Sequence, residues 1–566
     1  MKRLLLLLTF AASAQPNLKT VYELGNGNQG ATYEECLAFY QLLDNQFTTI
    51  SLLTLGFDDT GIPLHLAVYD PSSTFEFNGN KAVVLINNGI HPGEPDGIDA
   101  TMMLFRDLAN GKIKPPQNTL IAAIPVYNIG GALNRSSTSR VNQNGPERYG
   151  FRGNARNYDL NRDFIKQDTK NTMGFAEIFR LTNPEVFIDN HVSNGADYQY
   201  TLTYIMTQHN KLGGPLGDFL KHKMMPALVT DLQKKKIEST PYVNAWGHTP
   251  DKGFAQFYET PRYATGYTSL FNTIGFVVET HMLKPYPDRV KATYEFMLST
   301  VRFTDLNFKE IKLRREQNNQ LVKAGDNYAV RWTIDSSKVE QMTFLGYEGL
   351  RKKSDVTSGD RLFYDRKKPF SKLIPFYSEY KPAAQVAVPK AYVIPQEFWN
   401  VIALLKHNGM AYRQLERDTT LLVEQYRIAD YTKSTTAYEG HYPHKNTKVS
   451  RSVQTIGFKK GDYLFATDQP GVKYLLETLE PEAVDSFFNW NFFDTILQQK
   501  EWYSDYVFED LAADFLRNHP AVKAEFDRKM TEVEFAANPG AQLYWIYTQT
   551  PHYEKEHLRY PVYRIH

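Results

Sequence analysis

Three apolar runs in this chain each end in a residue that can bind a metal or move a proton. Ala82-Val83-Val84-Leu85-Ile86 leads into Gly89-Ile90-His91-Pro92-Gly93-Glu94-Pro95, Val186–Asn190 runs directly into His191, and Ile274-Gly275-Phe276-Val277-Val278 ends at Glu279. Short apolar runs of this kind read as buried strands. In open α/β sheets, ligand sites collect at the carboxyl ends of such strands. After the first run, Ile98, Met102, Met103, Phe105 and Leu108 recur at helical spacing within Asp96–Ala109. His91 and Glu94 therefore fall in a strand-to-helix turn, stiffened by Pro92 and Pro95.

The same alternation predicts the fold class. Thr32–Leu43 reads as a helix with Thr32 as N-cap and Glu35 completing a capping box. Ile50–Leu55 and Leu64–Tyr69, joined by Asp58-Asp59-Thr60-Gly61, read as a hairpin, and Thr119–Val126 as a further buried strand. Tyr127–Asn161, rich in Asn, Arg, Gly and Ser, reads as loop, and Tyr294–Leu313 as a closing helix. The expectation for residues 15–314 is an α/β domain, a mixed central sheet flanked by helices. Runs such as Tyr328–Ile334 and Met342–Tyr347 predict a β-rich domain over 315–390. Ala391–Ile394, Phe398–His407, Tyr463–Ala466 and Val472–Leu479 return to strand–helix alternation, so 391–566 reads as a further α/β segment, to which the sequence assigns no role.

Composition removes several function classes. A net charge of +1, from 64 basic and 63 acidic residues, argues against nucleic acid or an anionic membrane as the main partner. The one cysteine, Cys36, leaves no disulfide framework and no thiolate metal site. Lys2 and Arg3, the apolar run Leu4–Phe10 and then Ala12-Ser13-Ala14 have the layout of a secretory signal peptide, residues 1–14. No later run approaches the ~18 consecutive apolar residues of a transmembrane helix. The expected location is therefore periplasmic or extracellular. Nothing in the sequence sets an oligomeric state.

Zinc in a hydrolytic site takes three protein ligands and keeps a position open for water. His91, Glu94 and His191 supply that set. Such a site also needs a general base, and Glu279, behind an apolar strand, is the best placed carboxylate; burial would raise its pKa toward the useful range. A second histidine pair, His441-Tyr442-Pro443-His444, has no strand lead-in and no third ligand, and reads as a surface loop.

Taken in order, His91-Pro92-Gly93-Glu94, Asp159-Leu160-Asn161-Arg162, Asp189-Asn190-His191 and Val278-Glu279-Thr280 resemble the zinc carboxypeptidase family of the carboxypeptidase A type, over residues 20–305. The resemblance implies one Zn2+ in the catalytic domain on His91, Glu94 and His191, with Glu279 as general base and acid. It implies that Asn161 and Arg162 hold the terminal carboxylate of the substrate, and that Asp159 accepts a hydrogen bond from the His91 ring. An arginine upstream of Asn161 would stabilise the oxyanion; Arg152 is preferred, with Arg148 and Arg156 close by. A mobile tyrosine would close over the substrate. Tyr258, Tyr263 and Tyr267 all lie in the right segment, and Tyr267 is favoured because Gly266 would let the loop move. Glu279 is the only acid between Pro261 and Thr280, so a pocket for basic side chains is not expected, although Glu259 stands just outside. The function implied is an exported zinc metallocarboxypeptidase acting on peptides or peptide-like substrates with a free C-terminal carboxylate. The alternatives are a zinc amidase for cell-wall peptides or N-acyl amino acids, and a non-catalytic peptide-binding protein on the same scaffold.

Overall fold

Ala82–Asn87 and Val186–Ser193 are buried at every position, as strands covered on both faces must be. The computed structural model describes residues 18–77 and 79–566, so the signal peptide expected at 1–14 lies outside the described residues. The chain divides into two units. The first runs to Val388 and includes Ala403–Ala411 and Asp468–Glu477; the second comprises Pro389–Ile402, Tyr412–Thr467 and Thr478–His566.

In the first unit the strands are β1 (Ile50–Phe57), β2 (Pro63–Tyr69), β3 (Ala82–Asn87), β4 (Thr119–Ile124), β5 (Val186–Ser193), β6 (Leu202–Met206), β7 (Ser239–Pro241), β8 (Phe254–Ala255) and β9 (Ile274–His281). All but β8 form one eight-stranded sheet in the order β1-β2-β4-β3-β5-β9-β6-β7. Its centre, β4-β3-β5-β9, is parallel, while β1, β2 and β6 pair antiparallel to their inner neighbours. From β3 the chain goes to β4 on one side and later to β5 on the other. The crevice beyond the carboxyl ends of β3 and β5 is thus a topological switch point, where open α/β sheets bind ligands. Four further strands follow: β10 (Asn327–Ile334), β11 (Glu340–Lys353), β12 (Asp360–Tyr377) and β13 (Tyr380–Ala387). They make the small sheets β10-β13 and β11-β12-β8.

Local chemistry sets the helices. Thr32 and Glu35 form the reciprocal capping box at the start of helix Tyr33–Gln46. Helix Asp96–Ala109 follows the His91–Glu94 turn and lies so close to β5 that a Cβ at Gly97 would sit 2.3 Å from Asn190 Cβ. The turn itself begins at Gly89, whose φ of +65° L side chains rarely adopt. Helix Tyr286–Asn319 is tied to the same region by Arg289, whose Nε donates to Asp96 Oδ2 at 3.0 Å.

Asp99, on helix Asp96–Ala109, is fully buried. Burial pushes its carboxyl up to about 7 from 3.8, although the Tyr286 hydroxyl and the Ala31 amide both donate to it. Between those two values the folded chain holds a proton that the unfolded chain has released, so this group costs stability increasingly as pH rises through the window. Asp99→Asn, which cannot ionise, should therefore gain in Tm relative to the native chain as pH rises from 4 to 8, by several degrees; paired thermal melts across pH check it.

The second unit is built on an antiparallel six-stranded sheet. Its strands are β14 (Ala391–Ile394), β15 (Arg413–Gln414), β16 (Thr419–Lys433), β17 (His444–Phe458), β18 (Tyr463–Ala466) and β19 (Tyr563–Ile565), in the order β15-β18-β14-β19-β16-β17. Helices Asp505–Asn518 and Pro539–Gln549 pack on one another through Phe508, Ala512, Leu543, Ile546 and Tyr547. The mixed sheet with flanking helices, followed by β-rich and further α/β structure, is the class expected from the sequence. Among the described residues no helix is long and apolar enough to cross a membrane.

Candidate metal centre and substrate cleft

Residues two apart on a strand share a face, and on β5 this puts Asp189 beside His191. Asp189 Oδ2 lies 2.9 Å from His191 Nε2, and Asp189 Oδ1 accepts from Asn87 Nδ2 at 3.1 Å. At the end of β3, His91 Nε2 lies 2.9 Å from Asp159 Oδ1. Both imidazoles are thus anchored through Nε2 and turn Nδ1 inward. His191 Nδ1 lies 3.1 Å from Glu94 Oε2, while His91 Nδ1 is buried and makes no hydrogen bond. One ligand atom from each of His91, Glu94 and His191 lies within 4.8 Å of the others, the only such cluster among the described residues. Two imidazole nitrogens and one carboxylate oxygen, each oriented by a hydrogen-bonded carboxylate or amide behind it, are a donor set for a divalent metal ion. The residues present fit such an ion.

The electrostatics agree with that use. Burial alone would raise the Glu94 carboxyl, but the Arg140 guanidinium and the two imidazoles hold it well below the usual carboxylate range. The Val192 amide also donates to Glu94 Oε2, at 2.8 Å. For His191, burial favours the neutral ring, and Asp189 and Glu94 overcome it. With the metal's ring nitrogens set by Asp189 and Asp159, Asp189→Asn should weaken metal binding about 10- to 100-fold, with Tm little changed, as read by competition with a chromophoric chelator.

In the β5–β9 ladder His191 stands directly opposite Glu279. Both side chains therefore project from the same face, one strand spacing apart. Burial raises the Glu279 carboxyl to about 8; His191 works against this, and the charges of Glu94 and Glu259 work with it. On its other side β9 is held by Thr203, whose hydroxyl donates to the Glu279 carbonyl at 2.9 Å.

The metal cluster, Glu279, Arg152, Asn161 and Arg162 all line one cleft of about 530 Å³. Arg152 Nε donates to Asp159 Oδ2 at 3.0 Å, and its NH1 lies 3.6 Å from Glu94 Oε1. Arg148 is exposed, and Arg156 turns away to the Asp168 carbonyl, 3.0 Å from NH1, and to the Tyr158 ring. The Arg162 guanidinium lies over the Tyr263 ring, 4.3 Å from its centroid, and donates to the Asn161 carbonyl at 2.7 Å. Asn161 Oδ1 is buried without a hydrogen bond.

Tyr267 is not in the cleft. It sits in the core among Phe164, Phe179 and Phe271, and its hydroxyl donates to Asn408 Oδ1 at 2.6 Å. Gly266 serves packing rather than movement, since a Cβ there would lie 1.9 Å from the Thr260 carbonyl oxygen. Tyr258 stacks on Tyr380, 5.2 Å between centroids, and of the three tyrosines only Tyr263 lines the cleft. Glu259 is also a lining residue, buried and bonded to Thr265, so the cleft does contain an acid besides Glu94 and Glu279. The sequence reading gave no role to Arg140, Tyr242 or Phe257, which also line the cleft. The His441–His444 stretch is not a plain surface loop: His444 opens β17, is buried, and has Nε2 2.8 Å from Asp494 Oδ1.

No family model matches the chain. The chain is 22% identical over 489 residues to carboxypeptidase 2 of Trichophyton rubrum, spanning 82% of this chain and 84% of that protein. It is 22% identical over 439 residues to carboxypeptidase 2 of Trichophyton equinum, spanning 74% and 75%. Among solved structures, a metallo-carboxypeptidase from Burkholderia cenocepacia is 16% identical, covering 50% of this chain and 70% of that one at a TM-score of 0.38.

Proposed function

We propose, from the similarity to the carboxypeptidase 2 proteins of Trichophyton rubrum and Trichophyton equinum and from the donor set in the cleft, that this chain is an exported zinc metallocarboxypeptidase that removes the C-terminal residue of peptides. One observation carries the proposal: a three-donor metal cluster, a half-buried carboxylate on the same rung of the ladder as His191, and a cationic Arg162 with Asn161 share a single cleft.

In this reading His91, Glu94 and His191 hold the metal. Bound zinc supplies an activated water and a Lewis acid for the scissile carbonyl. Asn161 and Arg162 receive the terminal carboxylate, for which a guanidinium offers a forked pair of donors. The stacking of Arg162 on Tyr263 fixes the plane of that fork. Arg152 donates to the oxygen on which negative charge develops as the carbonyl is attacked. Glu279 takes a proton from the attacking water and returns it to the leaving amine; a carboxyl whose pKa is raised by burial can act in both directions near neutral pH. Tyr242 and Phe257 wall the cleft and limit water.

The experiment pairs elemental analysis of the purified chain with digestion of matched peptides, one set with free C-terminal carboxylates and one set amidated. One equivalent of zinc, with removal of single residues from the free-carboxylate set only, is the expected result. Equal cleavage of amidated peptides would show that Arg162 does not select a terminal carboxylate and would replace this reading.

A further inference from the structure

The acids of the substrate cleft differ in what balances their charge. Glu94 has the Arg140 guanidinium, two imidazoles and the Val192 amide, and Glu279 stands opposite His191 in the ladder. Glu259 has no comparable set among the described residues. Its Oε2 accepts from the Thr265 amide at 3.0 Å and from the Thr265 hydroxyl at 2.5 Å. Its Oε1 takes no hydrogen bond from the described residues and, unlike the unpaired Asn161 Oδ1, is not sealed from the cleft that Glu259 lines. The favourable charge acting on it comes from the His191 ring, which Asp189 and Glu94 already engage, and Asp189 repels it. Burial pushes the Glu259 carboxyl above its ordinary value, as happens to a carboxylate without a counter-ion. A carboxylate only 5% exposed carries a desolvation cost that a cation in the cleft would offset.

Position says which part of a substrate brings that cation. The turn over 259–265 is closed by the Tyr263 amide on the Thr260 carbonyl, at 3.0 Å. It carries both Glu259 and Tyr263, the ring over which the Arg162 guanidinium lies. One turn thus brings the acid and the Arg162 fork to the same end of the cleft. With Arg162 and Asn161 on the terminal carboxylate, the group that reaches Glu259 belongs to the same residue and is its side chain. Phe257, whose ring meets Tyr263 edge-on at 5.7 Å, and Ile205 line the cleft. They offer apolar surface to the methylene stem of a long cationic side chain.

We infer, resting on the carboxypeptidase reading, that the residue removed is cationic: the ammonium or guanidinium of a C-terminal lysine, arginine or other diamino acid donates to Glu259 Oε1 while Arg162 and Asn161 hold its α-carboxylate. An acidic side chain meets Glu259 as a like charge and is rejected. The sequence pointed the other way because Glu279 is the only acid between Pro261 and Thr280. The acid comes instead from just before that segment, folded into the cleft by its bonds to Thr265.

The test has a binding arm that needs no turnover. The zinc-loaded full chain is titrated calorimetrically with N-acetyl-lysine, N-acetyl-arginine, N-acetyl-norleucine and N-acetyl-glutamate. Lysine or arginine should bind at least about tenfold more tightly than norleucine, which has the stem without the charge, and glutamate should bind least. Glu259→Gln should bring lysine down to the level of norleucine with Tm retained, and Glu259→Asp, which keeps the charge, should restore part of the preference. The turnover arm compares kcat/KM for peptides ending in lysine and norleucine and should show the same ratio. Norleucine bound as tightly as lysine, or a lysine preference that survives in Glu259→Gln, overturns the inference. A lysine preference lost in Glu259→Gln, in a chain that hydrolyses no peptide, would uphold the cation site and overturn the carboxypeptidase reading. Trimming of peptides without regard to the charge of the leaving residue would do the reverse.

Discussion

Glu279→Gln lowers kcat for peptide hydrolysis by about 10²- to 10⁴-fold while leaving metal content and Tm at their native values. The amide keeps the shape of the side chain and can still hydrogen-bond, but it cannot take a proton from water. The carboxylate is not a metal donor in the cluster of His91, Glu94 and His191, so stoichiometric metal should remain. Glu279 is half-buried, and removing an ionisable group whose pKa is raised by desolvation relieves that cost, so the fold should not suffer. Single-turnover assays beside elemental analysis check both halves. Loss of metal together with activity would mean that Glu279 belongs to the binding set and that another group moves the proton.

Dialysis against a strong chelator reduces activity to background, and one equivalent of zinc restores it. His191→Ala neither retains the metal nor recovers. The loss should exceed about three decades, since polarising the carbonyl and activating water together account for several kcal/mol of barrier. The donors explain why recovery is expected: Asn87 orients Asp189, Asp189 orients His191, and Asp159 orients His91. A scaffold held by these hydrogen bonds survives removal of the ion. Full activity in chelated protein would exclude metal-assisted hydrolysis at this cleft.

The strand-borne parts of the site were legible in the sequence because buried strands write themselves as apolar runs. Ala82–Asn87, Val186–Ser193 and Ile274–His281 each carried a motif at or beyond the end of such a run. The loop-borne parts were less legible. Arg140 and Glu259 reach the cleft through backbone paths that no periodicity encodes, and Tyr267 was misplaced because a glycine beside a tyrosine is the same in sequence whether it permits motion or close packing. Asp189 could have been found: an acid two residues before a histidine on a strand must share its face. In the second unit the runs marked the short strands Ala391–Ile394 and Tyr463–Ala466, but not the long antiparallel pair Thr419–Lys433 and His444–Phe458, whose largely exposed residues make no apolar run, and side-chain patterning there points to no chemistry.

The pairing of His191 with Glu279 across β5 and β9 has a consequence for redesign. On the proposed mechanism, the gap between a metal donor and the proton carrier is set by the spacing of neighbouring strands, about 4.8 Å, and no loop exchange can alter it. The walls formed by Tyr242 and Phe257 lie outside that ladder. Libraries confined to those two positions can therefore explore new leaving residues while His191, Glu279 and Arg162 keep their neighbours Glu259 and Tyr263.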